Sequence, residues 1–485
     1  MKTKPFERVI GYDAIKKELM QVADSLANPE VYGKLGTKPP RGVLLYGEPG
    51  VGKTLMAGEV VKASGRRAFT CRKDKPNGDF VKAIKKVFSQ AVEAAPSIVF
   101  LDDMDKFANG DDRHPDAEEY VTVQSCIDEI KGKDVFVLAT ANSIRVLPRS
   151  LLRAGRFDRV IEVKNPRGED AVNIIGYYMK QKKFVSGIDP AEVGAIMDGH
   201  SCAELESIIN DAGLYAGYDR SDGITMEHFM KAYLHTVHNV PIEELNGDRT
   251  VPDLDDPDDP KSLIIWHEAG HAALQEAFEP GSVTLISAYC GRGENGGFTS
   301  NRRSNVHKLE QVHGRVICSL AGMAAVEQKF GFLDIGNSGD LGRAFETVNR
   351  LVSTNAACGF GMVCGADYPS ANLDHNRELA VSSEVERLYR RAKVMLNENR
   401  EFLNGIARAL ADKCYLTSAD IKKIKEGSSD PSPAFIEVQK DNPADPPEPE
   451  CNSGVTFCFD AGDLPPVPAP AGFGADLFDD DDLFF

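Results

Sequence analysis

Short apolar runs alternate with helical patterns along the first third of the chain. Runs of β-branched and aliphatic residues predict five strands, at Val43–Tyr46, Ala68–Cys71, Ile98–Leu101, Val135–Ala139 and Val160–Val163. Apolar residues at helical spacing fill the intervals, for example from Gly52 to Ala63 and from Asp79 to Ala94. This alternation predicts an α/β domain over residues 1–167, in which helices cover both faces of a parallel sheet.

Helical periodicity without a strand pattern dominates the rest of the chain. Residues 168–236 are predicted to form a small helical lid, and residues 260–427 a second, mostly α-helical domain. Between them, residues 237–259 include an acidic, proline-rich stretch that is typical of a linker.

The C-terminal segment, residues 428–485, differs in composition from everything before it. From Asp430 onward it holds 13 acidic residues against one basic residue, and ten of the chain's 27 prolines. Such a segment buries too little apolar surface to fold, so we expect a disordered tail. Its end, Ala475–Phe485, interleaves acidic and aromatic residues, a pattern that can dock on a basic, apolar groove of a partner. A purely solubilising role is the alternative.

Charge and cysteine content exclude some classes of function. The 485 residues carry 56 Lys+Arg against 74 Asp+Glu, a net charge of −18, which argues against nucleic acid as the main partner. Ten cysteines without a CxxC pair indicate neither a zinc ribbon nor a redox dithiol, and they fit a reducing compartment. No apolar run approaches the about 20 residues of a membrane-spanning helix, and no signal region is visible. We therefore expect a soluble, cytoplasmic protein.

A phosphate-binding loop is the clearest chemical signal in the first domain. The segment Gly47-Glu-Pro-Gly-Val-Gly-Lys-Thr54 matches G-x-x-x-x-G-K-[ST] between a predicted strand and a predicted helix. In that context, backbone N–H groups and a helix N-terminus converge on phosphate. Lys53 is expected to reach the β- and γ-phosphates of ATP, and Thr54 to bind Mg²⁺. The other nucleotide-binding residues predicted here are Gly47, Pro49, Gly50, Gly52 and Leu55.

Two carboxylates end the third predicted strand, Ile98-Val-Phe-Leu-Asp-Asp103. Asp102 is expected to hold Mg²⁺ together with Thr54, because carboxylate oxygens are the ligands that this ion prefers. Asp103 stands where a base that orients the attacking water is needed. A strand that ends in two aspartates is a weak signal alone, and the phosphate loop upstream makes it the expected second half of an ATP site.

A metal-binding pattern marks the second domain. The segment His267-Glu-Ala-Gly-His271 matches H-E-x-x-H, and Asp259-Pro260 supplies a helix start before it. Two histidines four residues apart share one helix face, so both can bind one zinc ion, with Glu268 poised as the general base. A hydrolytic zinc site needs a third protein ligand. From the residues alone, His307, His313 and several carboxylates are candidates.

Together these motifs resemble those of the FtsH family, the AAA+ ATP-dependent zinc metalloproteases, over most of the chain before the tail. The segment Phe6–Gly11 is similar to the family's adenine-contacting segment, which implies a nucleotide contact by Ile10 and Gly11. Asn142 matches the polar sensor that positions the attacking water. Ser201–Leu205 resembles the start of the lid helix that carries the second sensor.

The same resemblance implies an assembly. Arg156 and Arg159, within Leu151–Arg159, match the family's arginine fingers, which act on the γ-phosphate bound by a neighbouring subunit. A cation supplied in this way accelerates phosphoryl transfer strongly, so the family works as a ring, usually a homohexamer. From the residues alone, the two arginines could equally cap a loop with Asp158.

For the zinc site, the resemblance implies Asp340, in Asn337-Ser-Gly-Asp-Leu-Gly342, as the third ligand. Glu327 matches a family carboxylate that fixes the tautomer of a histidine ligand. Since Asp340 then completes the site, His307 and His313 are expected to be solvated side chains.

A glycine-rich segment, Asn295-Gly-Gly-Phe-Thr-Ser300, resembles the family's edge strand beside the zinc cleft. An extended substrate would add to such an edge through main-chain hydrogen bonds, which suits a protease of low sequence specificity. A glycine-rich hairpin without substrate contact is the alternative.

Several features depart from the family pattern. The family's N-terminal membrane anchor has no counterpart, so we expect a soluble relative or one that meets the membrane through a partner. Asp103 stands where the family carries Glu, a side chain longer by one methylene, which predicts slower ATP hydrolysis. The family's aromatic–hydrophobic–Gly pore loop is matched by Pro76-Asn-Gly78, with Phe80 as a substitute if the loop shifts. The basic Arg72-Lys73 and Lys75 would favour acidic segments.

The predicted function is an ATP-dependent zinc metalloendopeptidase with Zn²⁺, ATP and Mg²⁺ as cofactors and polypeptides as substrates. The altered pore loop and Asp103 keep two alternatives open. One is a nucleotide-gated remodelling or scaffold protein, and the other is a peptidase that does not need ATP.

Overall fold

The fold was analysed in a computed structural model of the chain. The structure describes residues 5–74, 77–108, 117–185, 187–246, 251–289, 296–302, 308–333, 338–354 and 371–429. The predicted tail beyond Ser429, His307, and the start of the predicted pore tripeptide at Pro76 lie outside these residues.

A five-stranded parallel sheet forms the centre of the first domain. Its strands are β1 (Gly42–Tyr46), β2 (Arg67–Cys71), β3 (Ser97–Leu101), β4 (Val135–Ala141) and β5 (Arg159–Glu162). The strand order is β2-β3-β4-β1-β5, and every pairing is parallel. The predicted α/β fold class is thereby confirmed, and each strand lies within two residues of its predicted position.

Helices cover both faces of this sheet. They are α1 (Asp13–Ala27), α2 (Pro29–Gly33), α3 (Lys53–Ser64), α4 (Asn77–Glu93) and α5 (Glu118–Glu129), and a short 3-10 turn spans Met104–Lys106. Alternate residues of the central strands enter two different cores: Leu45 packs with α1 and α3, whereas Leu44 packs with α4 and α5. This burial on both faces is the reason why the strands read as continuous apolar runs.

The lid is helical, as predicted. It consists of α6 (Glu169–Met179), α7 (Pro190–Ile196), α8 (Cys202–Tyr218) and α9 (Met226–His238), and α10 (Ile242–Asn246) follows. Ser201 caps α8 by accepting a hydrogen bond from the Glu204 N–H, and the Glu204 carboxylate accepts a hydrogen bond from the Ser201 N–H. The apolar core of the lid also takes in Leu285 and Tyr289, which belong to the second domain.

The second domain is mostly helical and contains a small antiparallel sheet. Its helices are α11 (Pro260–Phe278), α12 (Leu309–Phe330), α13 (Ser338–Thr354), α14 (Ala371–Glu398), α15 (Arg400–Lys413) and α16 (Ser418–Glu426). Its strands are β6 (Val283–Ser287), β7 (Phe298–Asn301) and β8 (Tyr415–Thr417), in the order β7-β6-β8. β7 is therefore an edge strand, as the sequence predicted.

The acidic stretch before α11 packs against the second domain. The Leu254 carbonyl accepts a hydrogen bond of 3.0 Å from Trp266 Nε1, and Asp255 forms an ion pair with Lys329. The Lys329 ammonium also lies 4.9 Å from the centre of the Trp266 ring. These contacts fix the chain that enters α11 against the side of α11 and α12.

One expectation about the pore-loop region is wrong, and a second stays a prediction. Phe80 is fully buried and packs edge-on against Phe107, with ring centroids 4.8 Å apart, so it cannot substitute as a gripping aromatic. Arg72 pairs with Asp103 at 3.0 Å, and Lys73 donates to the Phe107 carbonyl at 2.7 Å. Lys75 lies outside the described residues, and the expected preference of these cations for acidic segments stays a prediction.

Over the described part of the chain, none of the helices combines the length and the apolar character that crossing a membrane requires.

Candidate functional site

The phosphate loop joins β1 to α3 and contacts the lid. Gly50 has φ +84°, and a Cβ there would lie 2.8 Å from the Ala203 Cβ, so only glycine fits. The Gly50 carbonyl accepts a hydrogen bond of 3.1 Å from the Ala203 N–H. Gly47 and Gly52 also have positive φ, and Pro49 is exposed on the same loop. The loop therefore presents its backbone to solvent on one side and to the first turn of α8 on the other.

Lys53 is buried at the base of this loop. Its Nζ donates to the Gly47 and Glu48 carbonyls, at 2.7 Å each, and to Asn142 Oδ1 at 3.0 Å. Burial lowers the pKa of Lys53, against the opposing effect of nearby carboxylates, of which Asp105 is the strongest. The ammonium of Lys53 is thus held by two loop carbonyls and one amide oxygen, at a place where the oxygens of a bound polyphosphate would form charge-assisted hydrogen bonds with it.

The side chains predicted to bind Mg²⁺ lie together. Thr54 Oγ1 donates to Asp102 Oδ1 at 3.1 Å, and Thr140 Oγ1 donates to the same oxygen at 2.8 Å. Thr54 and Leu55 are exposed on the first turn of α3. A hydroxyl and a carboxylate oxygen beside the phosphate loop are the ligand types that suit Mg²⁺ with a phosphate, so the residues present fit this ion.

Asp103 is held by two cations. Its carboxylate lies 3.0 Å from Arg72 and 2.8 Å from Lys106, and its backbone has φ +57°. Burial would raise the pKa of Asp103, but the hydrogen bonds from Lys106 and Arg72 hold it below its usual range. In this geometry the carboxylate is a weak proton acceptor.

Asp105 is a residue that sequence reasoning missed. Its two carboxylate oxygens accept hydrogen bonds from the Asn142 N–H, at 2.8 Å, and from Asn142 Nδ2, at 3.1 Å. These two hydrogen bonds orient the side chain of Asn142 so that its amide oxygen faces Lys53. The sequence did contain a clue to this role. Asp105 follows Asp102 by one turn, at the carboxyl edge of the sheet where β3 and β4 end.

The predicted arginine fingers have partners in their own domain. Arg156 bonds to Asp128 at 2.8 Å, and Arg159 to Glu18 at 3.2 Å. Asp158 instead accepts hydrogen bonds from the backbone N–H groups of Arg41 and Gly155. The alternative in which the arginines cap a loop with Asp158 is therefore wrong.

The predicted adenine-contacting segment lies against the lid. Ile10 is half-buried at the edge of the lid core, and Gly11 has φ +67°. A Cβ on Gly11 would lie 3.0 Å from Asp170 Oδ1, and that oxygen accepts a hydrogen bond of 2.8 Å from the Tyr12 N–H. The Tyr12 hydroxyl, 3.7 Å from Cys202 Sγ, joins the segment to the start of α8.

The predicted zinc ligands converge. His267 Nε2 lies 2.9 Å from His271 Nε2 and 3.1 Å from Asp340 Oδ2, and His271 Nε2 lies 3.4 Å from that oxygen. Ligand atoms about 2.1 Å from a tetrahedral zinc lie roughly 3.4 Å from one another. Within the described residues, these three form the only cluster of His, Cys, Asp or Glu with metal-site geometry.

The chemistry of these donors also fits zinc. His271 Nδ1 lies 2.7 Å from the Cys318 carbonyl, which can only accept, so Nδ1 carries the proton and Nε2 offers its lone pair. Burial would raise the pKa of Asp340, but the two imidazoles hold it well below its usual range, so this ligand is anionic. Gly322 on α12 makes room for the site, since a Cβ there would lie 2.5 Å from the His267 ring.

Glu268 lies between the predicted zinc ligands and the edge strand. It is buried, and its Oε2 accepts a hydrogen bond of 2.8 Å from Thr299 Oγ1, in the centre of β7. The same hydroxyl lies 3.2 Å from the Glu268 carbonyl, which fixes β7 against α11. Sequence reasoning missed Thr299, although its place in the predicted edge strand was a usable signal.

Two expectations about neighbouring residues are wrong. Glu327 bonds to the Tyr389 hydroxyl and to Lys393, and holds neither histidine ligand; His267 Nδ1 is buried with no hydrogen-bond partner in the structure as described. His313 is not solvated: it is mostly buried beside Glu384 at 3.4 Å, and burial lowers its pKa. Both residues lie on α12. The sequence around each of them did not show which side of this helix packs against the rest of the domain.

Comparison with known proteins agrees with this geometry. The family described as "ATPase family associated with various cellular activities (AAA)" matches residues 43–165, and "Peptidase family M41" matches residues 257–424. The ATP-dependent zinc metalloprotease FtsH of Mycoplasma pneumoniae is 28% identical over 467 residues, which cover 90% of this chain and 64% of that protein.

Two further relatives extend the comparison. The ATP-dependent zinc metalloprotease FtsH 2 of Symbiobacterium thermophilum is 31% identical over 451 residues, covering 86% of this chain and 74% of that protein. FtsH 3 of Petrotoga mobilis is 29% identical over 472 residues, covering 89% of this chain and 70% of that protein. The chain thus spans between 64% and 74% of the length of these three relatives. The resemblance inferred from the motifs is confirmed by the match over both halves, and the chain belongs to the FtsH family of ATP-dependent zinc metalloproteases.

Proposed function

We propose that this protein is an ATP-dependent zinc metalloendopeptidase that acts on polypeptides. The observation that carries the proposal is the place of Glu268, between the converging ligand atoms of His267, His271 and Asp340 and the open edge of the small sheet. A peptide added to that edge would run past both groups, and its backbone is the part common to all protein substrates.

Within this site, each side chain has a separate task. His267, His271 and Asp340 hold the metal, and zinc in such a site supplies Lewis-acid polarisation of the scissile carbonyl and activation of water. The Glu268 carboxylate takes the proton of the attacking water and gives it to the leaving amine. Thr299 keeps that carboxylate oriented, and β7, which pairs with β6 alone among the described strands, offers the N–H and C=O groups of its outer edge to the substrate.

In the ATP site, Lys53 would neutralise the β- and γ-phosphates, and Thr54 and Asp102 would hold Mg²⁺. Asn142, oriented by Asp105, would position the attacking water. The other proposed nucleotide contacts are Ile10, Gly11, Gly47, Pro49, Gly50, Gly52 and Leu55.

Assembly and location are part of the same proposal. A hexameric ring would place Arg156 and Arg159 at the nucleotide of the next subunit, once they leave Asp128 and Glu18. The cysteines that the structure describes are free thiols, which supports a reducing compartment such as the cytoplasm. We propose the division into an α/β core (1–167), lid (168–236), linker (237–259), protease domain (260–427) and tail (428–485).

The test is degradation of casein, an unfolded protein, by the purified zinc-loaded chain. Cleavage would be compared with ATP, with a non-hydrolysable analogue and without nucleotide. Glu268→Gln serves as the blank, and Glu310→Gln, at an exposed carboxylate of α12, serves as the matched control. We expect cleavage that needs hydrolysable ATP, vanishes in Glu268→Gln and persists in Glu310→Gln.

Other results would select the alternatives. A cleavage rate that is the same with and without nucleotide would indicate a peptidase whose ATPase activity serves another purpose. No cleavage under any condition, with zinc bound, would indicate a remodelling or scaffold protein. Neither alternative is favoured by the family match or by the intact donor set.

Thr299→Val is expected to lower kcat for peptide cleavage about 10- to 100-fold, with KM nearly unchanged. Valine keeps the shape of the side chain but removes the hydroxyl that orients Glu268 Oε2. The measurement is steady-state cleavage of a fluorogenic peptide, with zinc content determined in parallel. Thr299→Ser keeps the hydroxyl and should recover most of the rate. An unchanged kcat in the valine variant would show that Glu268 needs no such support.

Asp103→Glu is expected to raise the rate of ATP hydrolysis by about tenfold at saturating ATP. The added methylene would carry the carboxylate past Arg72 and Lys106 toward the water that it must orient. Phosphate release measures the effect, and Asp79→Glu, at an exposed position of α4, is the matched control. A turnover equal to that of the parent chain would refute the claim that Asp103 slows hydrolysis.

A further inference from the structure

The phosphate loop touches the lid at the first turn of α8. The Ala203 N–H bonds to the Gly50 carbonyl, and Ser201 caps the helix at the same point. His200 directly precedes this cap, with Nδ1 at 3.8 Å from Glu204. The phosphate loop is therefore in direct contact with the first turn of α8, three residues from His200.

A row of aromatic rings runs from this turn to the protease domain. The ring centroids of His200 and Tyr233 lie 5.7 Å apart, and the Tyr233 hydroxyl lies 3.5 Å from His200 Nε2. Tyr233 contacts His238 at 5.3 Å, and His238 stacks on Phe298 at 3.8 Å with an interplanar angle of 13°. We call these four side chains the ring row. It links the turn before α8 to α9 and to β7.

Phe298, the ring of the row that belongs to β7, is the neighbour of Thr299, which orients Glu268. Successive side chains of a strand point to opposite faces. Phe298 points toward the lid, and its neighbour Thr299 points toward α11, where it holds Glu268. A Cβ on Gly297 would likewise lie 2.8 Å from Glu268 Cγ, which confirms the alternation. β7 is thus held between His238 on one face and Glu268 on the other.

The contact between the lid and β7 is apolar and close. Burial, reinforced by His200, lowers the pKa of His238 to about 4, so at neutral pH a neutral ring stacks on Phe298. His238 Nε2 is buried, and no hydrogen bond to it occurs among the residues described. The ring of His238 thus meets the second domain by stacking on Phe298. Closely packed groups of this kind transmit small displacements instead of absorbing them.

We propose that His238 and Phe298 are positioning residues, which pass the nucleotide state of the lid through β7 to the general base Glu268. This inference rests on the proposed function of Glu268 and adds to it a route by which ATP acts on the protease site within one chain. Among the described strands, β7 pairs with β6 alone, so a small displacement of β7 disturbs no second strand pairing. A shift of about 1 Å at Thr299 is enough to change a rate by up to about 100-fold.

The inference makes a prediction that polypeptide threading does not make. A short peptide diffuses to the zinc site without being pulled, yet its cleavage should still depend on nucleotide. We expect the zinc-loaded protein to cleave a fluorogenic peptide at least about fivefold faster, or slower, with an ATP analogue than without nucleotide. The ratio of the two rates is the coupling ratio.

Variants of the ring row distinguish a loss of coupling between nucleotide and peptide cleavage from a loss of protein stability. In Phe298→Ala and His238→Ala, the coupling ratio should fall close to one, while ATP turnover stays within about twofold and zinc content is unchanged. Phe298→Tyr and His238→Phe keep a ring at each position and should retain the ratio of the parent. Tyr177→Ala, at a lid tyrosine that is 46% exposed and lies outside the ring row, is the matched control.

Hydrogen exchange gives a readout that does not depend on catalysis. In the parent protein and in Tyr177→Ala, the nucleotide analogue should change the exchange of the amides of β7. In His238→Ala this change should be lost, although the analogue still binds. The double variant should match the single variants, because both side chains serve one contact.

The outcomes distinguish this inference from the proposed function. If the parent chain cleaves no peptide, the proposed function itself fails. If it cleaves peptide with nucleotide dependence, and the alanine variants keep the coupling ratio, the inference alone is overturned. A loss of basal cleavage at constant ratio would also overturn it, since the contact would then serve only stability.

Discussion

Asp340→Asn is expected to abolish peptide cleavage while ATP hydrolysis continues. Asp340 is the proposed anionic ligand of the zinc site, and its oxygen lies 3.1 Å and 3.4 Å from the two histidine Nε2 atoms. Asparagine has nearly the same shape but supplies a neutral oxygen or an NH₂ group. Loss of a residue that only orients a ligand costs about 10- to 100-fold in zinc affinity, so loss of the ligand should cost at least that much.

Zinc content after dialysis and peptide cleavage at limiting zinc measure this effect. Glu346→Gln, an exposed carboxylate on the same helix α13, should leave both unchanged. ATP turnover is the internal check that the chain is folded. If Asp340→Asn bound zinc with parental affinity, another residue would have to be the third ligand.

The second large effect is expected for Lys53→Ala, which should lower ATP hydrolysis by about 100- to 1,000-fold. The buried ammonium is held by the Gly47 and Glu48 carbonyls and by Asn142, and alanine leaves the phosphates without this charge. Degradation of a folded protein should stop with it. Zinc content should not change, because the zinc ligands lie in the other domain.

Lys62→Ala provides the comparison, since Lys62 lies on the same helix α3 with its side chain 58% exposed. Phosphate release and degradation of a folded substrate are the two measurements. Full ATP turnover in Lys53→Ala would mean that the loop does not bind the phosphates as proposed. Continued degradation without turnover would instead separate proteolysis from ATP.

Local patterns predicted the elements and the motifs that each element carries. The strands, the phosphate loop and the helix with His267 and His271 all depend on residues close together in sequence, so spacing alone defines their geometry. Asp340 lies 73 residues from His267, and no spacing rule links them. It was predicted only through the resemblance to a known family.

Residues that act across elements were not predictable from single positions. Asp105 orients Asn142 from a neighbouring strand end, and Gly322 makes space for a ring on another helix. Phe80 and His313 were misjudged for the same reason: burial depends on how helices pack, and a single sequence does not specify it. The errors therefore concern tertiary contacts, whereas secondary structure was largely predictable.

The shared core of the lid and the small sheet bears on how the protein can be divided. Leu285 and Tyr289 belong to the second domain in sequence but are buried in the lid. A protease fragment cut at the acidic segment would expose these side chains to water and would lose their packing enthalpy and hydrophobic stabilisation. We therefore expect the lid and the small sheet to unfold together, and a chimaera that exchanges the protease domain with a relative should exchange the lid with it.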